Sequence, residues 1–286
     1  MTLCLGLTGC SRDSVEQNAE QELVPVTVRV SGFSITQEDF PTTRGTAISD
    51  YANLKALTLA FYKSDGSELN KLTQYKGNMS GSETFGEFST SLPIGSYTMV
   101  VIGCSATDDA SNVSLTGLTS AGYSDYVRET FATSQSVTVT GNTPLELTAT
   151  LNRIIAKVSV VSTDGRAADV HAIRTTLSGG GMGFNPTTGL STTNTGFSNT
   201  VTTSVTVGNT TNTATALFLA TDEQTMNITI ETLDEGNNVI FSKTIENVPL
   251  RRNRQTTLTG KMYSAGASVS SFQLDTDWLT GNSVTF

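Results

Sequence analysis

The most constraining feature of the sequence is a strict alternation of valines near its start. Val24, Val26, Val28 and Val30 occupy every second position of one short run. Successive side chains of a β-strand point to opposite faces, so this spacing places the valines together on one face. Pro25 favours a position near the start of a strand or at a sheet edge. The run therefore predicts a β-strand with one buried face.

Similar short runs recur along the chain, separated by turn residues. Thr and Val, which favour strands because they are stiff at χ1, are abundant, and no long helix is predicted. A short helix is predicted at 124–131. Strands are predicted at 24–30, 54–62, 85–92, 97–104, 137–139, 145–147, 154–161, 170–177, 201–207, 215–219, 228–233, 239–245, 256–263, 269–278 and 284–286. The pattern is typical of an all-β sandwich or barrel.

The length of the chain favours two domains. With 286 residues it exceeds the usual size of a single domain, and two strand-rich halves of similar length meet near 149–152. Each half has about the number of strands found in a seven-stranded sandwich. We therefore predict an N-terminal domain at 24–149 and a C-terminal domain at 150–286.

Charge and residue supply restrict the function classes. A net charge of −9 repels phosphate backbones, so we expect no nucleic-acid partner. The single histidine, His171, and three cysteines offer little material for metal sites or for Ser-His-Asp catalysis. Cys104, within a predicted strand, is expected to be a buried thiol without a role. We expect no enzymatic activity, no cofactor and no metal.

The first residues have features of an export signal. Leu7-Thr8-Gly9-Cys10 ends a short apolar run and resembles the bacterial lipobox, whose cysteine is diacylated. No Lys or Arg precedes this run, so we expect that the true translation start lies upstream or is misassigned. We predict a signal peptide at 1–10 that is cleaved before Cys10, and a flexible polar tether at 11–23.

A second alternating segment lies near the C-terminal end. Its residues on one face are Phe272, Leu274, Thr276 and Trp278, followed after a turn by Val284 and Phe286. This segment is either the last strand of its own sandwich or a strand donated to a sheet of another subunit. We favour donation of 268–286, because a polar stretch at 264–268 can act as a hinge.

The order and spacing of several motifs resemble the FimA-like fimbrillins, the type V pilins of Bacteroidales. The motifs are the lipobox at Cys10, the junction Thr43-Arg44-Gly45 and the runs at 54–62, 92–97, 151–158, 248–253, 258–260 and 272–278. Together they cover nearly the whole chain.

The resemblance implies two transthyretin-like Greek-key β-sandwich domains in tandem, made as an outer-membrane lipoprotein precursor. An arginine-specific protease then cuts between Arg44 and Gly45 and removes the first strand, 24–35. The C-terminal strand of another subunit fills the vacated groove, and repetition builds a cell-surface fimbria that supports adhesion. The implied partners are other fimbrial subunits, in a homopolymer or as minor subunits, and a host or bacterial surface ligand.

Other functions stay open from the sequence. An anchor or tip subunit would cap a fimbria instead of extending it, and a surface lipoprotein could bind glycans through a sandwich face or loop. An envelope hydrolase is a third alternative, because carboxylate spacing in a β-fold cannot be read from sequence.

Overall fold

The computed structural model describes residues 22–34, 48, 51–80, 83–141, 143–263 and 273–275. These residues form strands and turns, and none of them lies in a helix. No helix able to span a membrane occurs among them. The predicted all-β class is confirmed for this part of the chain.

Eighteen strands are described. In chain order they are β1 (Leu23–Ser34), β2 (Ala56–Lys63), β3 (Glu68–Tyr75), β4 (Glu87–Pro93), β5 (Gly95–Cys104), β6 (Ser114–Gly117), β7 (Ser120–Gly122), β8 (Thr130–Val139), β9 (Leu145–Arg153), β10 (Ala156–Ser162), β11 (Ala172–Leu177), β12 (Gly183–Phe184), β13 (Phe197–Thr202), β14 (Asn212–Leu217), β15 (Glu223–Leu233), β16 (Val239–Arg251), β17 (Gln255–Gly260) and β18 (Gln273–Asp275).

The first nine strands, apart from β6 and β7, form one seven-stranded sheet in the order β3-β2-β5-β8-β9-β1-β4. β8 and β9 pair at only two positions, Phe131 with Arg153 and Ala132 with Asn152. Side chains from strands on both sides of this short junction share one apolar core, including Phe61 of β2 and Leu92 of β4. The sheet therefore folds over at the β8–β9 junction and packs against itself.

The two outer strands of this sheet, β3 and β4, are joined by side chains. Gln74 of β3 donates from Nε2 to the Glu87 carbonyl (2.7 Å) and accepts from the Gly86 amide (2.8 Å). Asn70 donates to Thr90 across the same gap. One glutamine amide thus satisfies backbone groups that a neighbouring strand would otherwise pair.

The second half of the chain contributes two four-stranded sheets. Their orders are β14-β10-β17-β18 and β13-β11-β15-β16. A second apolar core combines side chains from both sheets, among them Val158 of β10, Leu258 of β17 and Ile230 of β15. The boundary between the sheet sets lies between Arg153, the end of β9, and Ala156, the start of β10. The division into two domains stays a prediction.

A small sheet connects the two halves. It has the order β12-β7-β6, and Gly183 of β12 pairs with Gly122 of β7. A side chain at Gly122 would collide with the backbone of Met182 and Gly183, so the close approach requires glycine. Beside it, Phe184 stacks on Phe218 with ring centroids 4.4 Å apart. The halves therefore share a continuous buried core.

Two sequence-based assignments are wrong. The segment predicted as a helix at 124–131 is irregular until β8 begins at Thr130, and the Asp125–Arg128 ion pair (2.7 Å) holds its turn. The strand predicted at 201–207 ends at Thr202, and Val207 is 52% exposed in the turn that follows. β3 was not predicted, because its sequence is mostly polar and lacks a strict apolar alternation. In the structure its residues are exposed or only partly buried.

The connecting core gives a first prediction. Phe184→Ala removes a fully buried ring and should lower the free energy of unfolding by about 3–5 kcal/mol. Denaturant unfolding followed by circular dichroism measures the change. The control Ile240→Ala, at a side chain 44% exposed, should change stability by about 0.5 kcal/mol or less. A loss below about 1 kcal/mol for Phe184→Ala would show that this core contributes little.

Candidate functional site

The candidate site is the position of β1 inside the seven-stranded sheet. β1 runs antiparallel to β4, from Leu23 opposite Pro93 to Arg29 opposite Glu87. Its other edge runs parallel to β9, from Val26 opposite Leu145 to Ser34 opposite Asn152. Both edges of β1 are therefore hydrogen-bonded, and its removal would leave two unpaired edges facing each other.

One face of β1 lies in the core, as its alternating sequence predicts. Val24, Val26, Val28 and Val30 are 1%, 1%, 0% and 4% exposed. They belong to the cluster that contains Phe88 and Leu92 of β4 and Ala149 and Leu151 of β9. The structure thus brings together all four residues predicted for the first strand and places them in one groove between β4 and β9.

The outer face of β1 carries a charge bridge that the sequence did not reveal. Arg29 lies 3.2 Å from Glu146 of β9 and 3.4 Å from Glu87 of β4. One guanidinium thereby spans all three strands. Because the three side chains are 40–73% exposed, each pair stabilises by only about 0–1 kcal/mol. Buried valines, and not this bridge, hold β1 in place.

Ile48 closes one end of the groove. It is 6% exposed and lies against Gly86, whose φ of +93° suits glycine. The Gly86 carbonyl accepts a hydrogen bond from the Val30 amide (2.8 Å). A side chain at Gly86 would collide with Ile48. Ile48 is the first described residue after the predicted cleavage junction, and it belongs to the same core as the valines of β1.

A polar network lies where β9 ends. Tyr51 donates to Glu129 Oε1 (2.7 Å), and Arg153 lies 2.7 Å from the same oxygen. Burial, followed by the hydrogen bond and charge of Glu129, raises the pKa of Tyr51, so its hydroxyl stays protonated as a donor. Arg153 also donates to Asn253 (3.1 Å) in the second half of the chain. This network fixes the end of the groove to the junction between the halves.

Several predicted site residues lie outside the described residues. These are the lipidation residue Cys10, the cleavage residues Arg44 and Gly45, and the donor residues Phe272, Thr276, Trp278, Val284 and Phe286. Their assignments stay predictions.

The described part of the predicted donor strand pairs within its own chain. β18 runs antiparallel to β17, with Leu274 opposite Leu258 and Asp275 opposite Thr257. This is the arrangement of the simpler sequence interpretation, a last strand of its own sheet. Before the strand, Asp164 accepts hydrogen bonds from the amides of Met262 (2.8 Å) and Tyr263 (2.9 Å). The chain is thus anchored up to Tyr263.

Residues with catalytic or metal-binding chemistry are scattered. His171 is exposed, and its backbone amide donates to the Leu233 carbonyl (2.7 Å). Cys104 is a buried free thiol that donates to Asn112 Oδ1 (3.2 Å). Within the described ranges, no group of three or more His, Cys, Asp or Glu side chains could hold a metal ion. The strand groove is therefore the feature to compare with known proteins.

Solved structures with the same all-β architecture come from Bacteroidales surface proteins. The fimbrial anchor protein Mfa2 from Porphyromonas gingivalis has a TM-score of 0.54 at 12% identity, covering 89% of this chain and 98% of that one. Two candidate adhesins from Bacteroides ovatus have TM-scores of 0.52 and 0.50 at 11% and 12% identity, covering 94% and 84% of this chain and 98% and 88% of theirs. At these identities the likeness shows a shared fold.

A family model assigns the chain more specifically. The model described as a family of unknown function, DUF6562, matches residues 21–278, and the chain belongs to this family. No curated protein sequence matches the chain. The narrower resemblance to FimA-like fimbrillins stays a prediction.

The burial of β1 gives a second prediction. Val28→Ala removes two carbons from a fully buried position and should destabilise the protein by about 2 kcal/mol. Its neighbour Thr27 points to the other face and is only partly buried, so Thr27→Ala should cost about 0.5 kcal/mol or less. Equal losses in thermal or denaturant unfolding would contradict the one-sided burial of the strand.

Proposed function

We propose that this protein is a structural subunit of a cell-surface fimbria, with no enzymatic activity, that assembles by strand exchange and supports adhesion. The observation that carries the proposal is β1 itself, a strand paired on both edges, with four buried valines, supplied by the start of the chain. The segment that follows β1 contains Arg44-Gly45, the predicted cleavage junction.

The energy of the groove supports the exchange. Burying one valine side chain stabilises a protein by about 1.5–3 kcal/mol, so the four valines of β1 represent roughly 6–12 kcal/mol. Whole domains are stable by only about 5–15 kcal/mol. A subunit that loses β1 therefore has a strong drive to bind another strand, which would satisfy the backbone of β4 and β9 and cover the exposed core.

The predicted donor matches the spacing of the strand it would replace. Phe272, Leu274, Thr276 and Trp278 repeat the four alternating positions of the valines. The two largest side chains lie at the ends of this set, and Ile48 closes one end of the groove. We propose that the ends of the groove adjust to these rings while its centre receives Leu274 and Thr276.

The rest of the assembly scheme rests on the resemblance to fimbrillins. The precursor is an outer-membrane lipoprotein with lipid on Cys10, built from two tandem transthyretin-like domains, and an arginine-specific protease releases β1. A strand passed from each subunit to the next gives an interface that does not close, so the subunits form a filament. Other subunits and a surface ligand are the proposed partners.

An anchor subunit is the second candidate. The structural likeness to a fimbrial anchor protein and the intramolecular position of β18 favour it. An anchor would keep its lipid and its first strand. Mass spectrometry of the protein from cells distinguishes the two, because a lipidated N-terminus without a cut at Arg44 supports the anchor.

The processing step gives a third prediction. An arginine-specific protease should cut after Arg44 and yield SDS-resistant ladders. Arg44→Lys keeps the charge but should abolish both results. Replacing 43–45 by the recognition site of an unrelated protease should restore ladders when that protease is added, because the cut itself drives exchange. Ladders from uncut Arg44→Lys protein would refute the processing step.

The donor strand gives a fourth prediction. Deletion of 272–286 should leave a folded monomer that is cut after Arg44 but does not polymerise, because β18 lies at the edge of its sheet and the described residues pair with β17 at three positions. Circular dichroism checks the fold and electron microscopy checks for filaments. Global unfolding of the truncated chain would show that the segment belongs to its own sheet, and filaments formed without it would exclude it as the donor.

A further inference from the structure

A cleft of about 490 Å³ lies at the junction between the two halves of the chain. It is lined by the middle of β8, the end of β9, the loop at 186–189 and the turn from β16 into β17 at 251–254. This volume is in the range of small-molecule sites. The cleft borders the end of the β1 groove through Asn152, which pairs with Ser34 of β1, but it includes none of the four buried valines.

Arginines outnumber carboxylates in the lining although the chain is acidic. It includes four arginines, Arg153, Arg251, Arg252 and Arg254, against one carboxylate, Asp222. The whole chain carries a net charge of −9. Clefts lined by one sign of charge concentrate ligands of the opposite sign. The cleft can therefore attract an anion to the extent that its arginines are not paired with carboxylates.

Three of these arginines are held by acidic neighbours. Arg252 lies 2.7 Å from Asp222 and donates to the Thr188 carbonyl (2.7 Å). Arg251 lies 3.1 Å from Glu223, and Arg153 lies 2.7 Å from Glu129. These pairs neutralise three of the four charges and fix the shape of the lining.

Arg254 differs from the other three. Its backbone is fixed, because its amide donates to the Arg251 carbonyl (3.1 Å) and its carbonyl accepts from the Lys157 amide (3.0 Å). Within the described part of the chain, no hydrogen bond or ion pair involves its guanidinium, which is partly buried. The cleft therefore offers one unpaired guanidinium fork, which matches a single carboxylate.

The other lining groups select a polar ligand. Ser134, Thr133 and Thr187 supply hydroxyls, Asn152 and Asn253 supply amides, and no aromatic ring lines the cleft. Ser134 and Thr187 already donate to the Thr187 carbonyl and to Asn185, but a hydroxyl oxygen can also accept, so these groups can still bond to a hydroxyl-rich molecule. One free cation also suits a monoanion better than a dianion such as phosphate.

We propose that this cleft binds a uronic acid unit of an acidic oligosaccharide, with the sugar carboxylate paired to Arg254. The hydroxyls of the sugar bond to the Ser, Thr and Asn side chains of the lining. The site does not depend on strand exchange, so it operates in the uncut monomer and its test is independent of the assembly tests.

The experiment is calorimetric titration of the full, uncut chain with trigalacturonic acid at low salt. We expect binding that weakens as salt is added. Methyl esterification of the same trimer, which removes the carboxylate charges and leaves the sugar unchanged, should abolish it. Arg254→Ala should weaken binding at least about tenfold, because a hydrogen bond to a charged group is lost. The melting temperature should not change, since the guanidinium holds no other residue.

The matched control is Lys63→Ala. Lys63 is exposed, lies outside the cleft and carries the same charge, so affinity should stay within about twofold. Equal affinity of Arg254→Ala and the unaltered protein would overturn the proposal. Equal affinity for the esterified trimer, for a triglutamate peptide or for inorganic sulfate would also overturn it, since the site would then recognise no sugar acid.

Discussion

The fold depends on one constraint, that backbone groups removed from water must be paired. β1 meets this requirement for two neighbours at once, because it lies between β4 and β9 and bonds to both. Its valines also fill the centre of the first core. A strand in this position is structurally central, because β4 and β9 each pair with it and not with one another. Any strand that replaced β1 in the proposed exchange would have to pair with both β4 and β9.

The sequence predicted β1 correctly because its signal, the alternation of valines, is local. The alternation of the valines is visible within seven residues, and every one of them is buried as expected. β2 and β5 were likewise close to their predicted limits, since each is a compact apolar run. By contrast β3 reads as a polar segment, because it lies at the sheet edge and is stabilised through Gln74 and Asn70. The residues of β3 alone do not show that Gln74 and Asn70 will contact β4.

The parts of the site that sequence reasoning missed are all long-range. Arg29 becomes a bridge only when register places Glu87 and Glu146 on either side of it. Tyr51, Glu129 and Arg153 meet although they are far apart in the sequence. The arginine cleft likewise combines residues from 132 to 254. Spacing along a β-chain does not determine which strand ends meet, so such clusters appear only once the topology is known.

The shared core around Phe184 and Phe218 has a mechanical consequence. In a filament of the proposed kind, a pulling force would enter each subunit at the β1 groove and leave it through the segment after β17. The load must cross from the first half to the second. It crosses through interlocked aromatic rings, paired strands β7 and β12 and the Arg153–Asn253 contact, and not through a free linker. We therefore expect the two halves of a subunit to resist tension together and not to move apart independently.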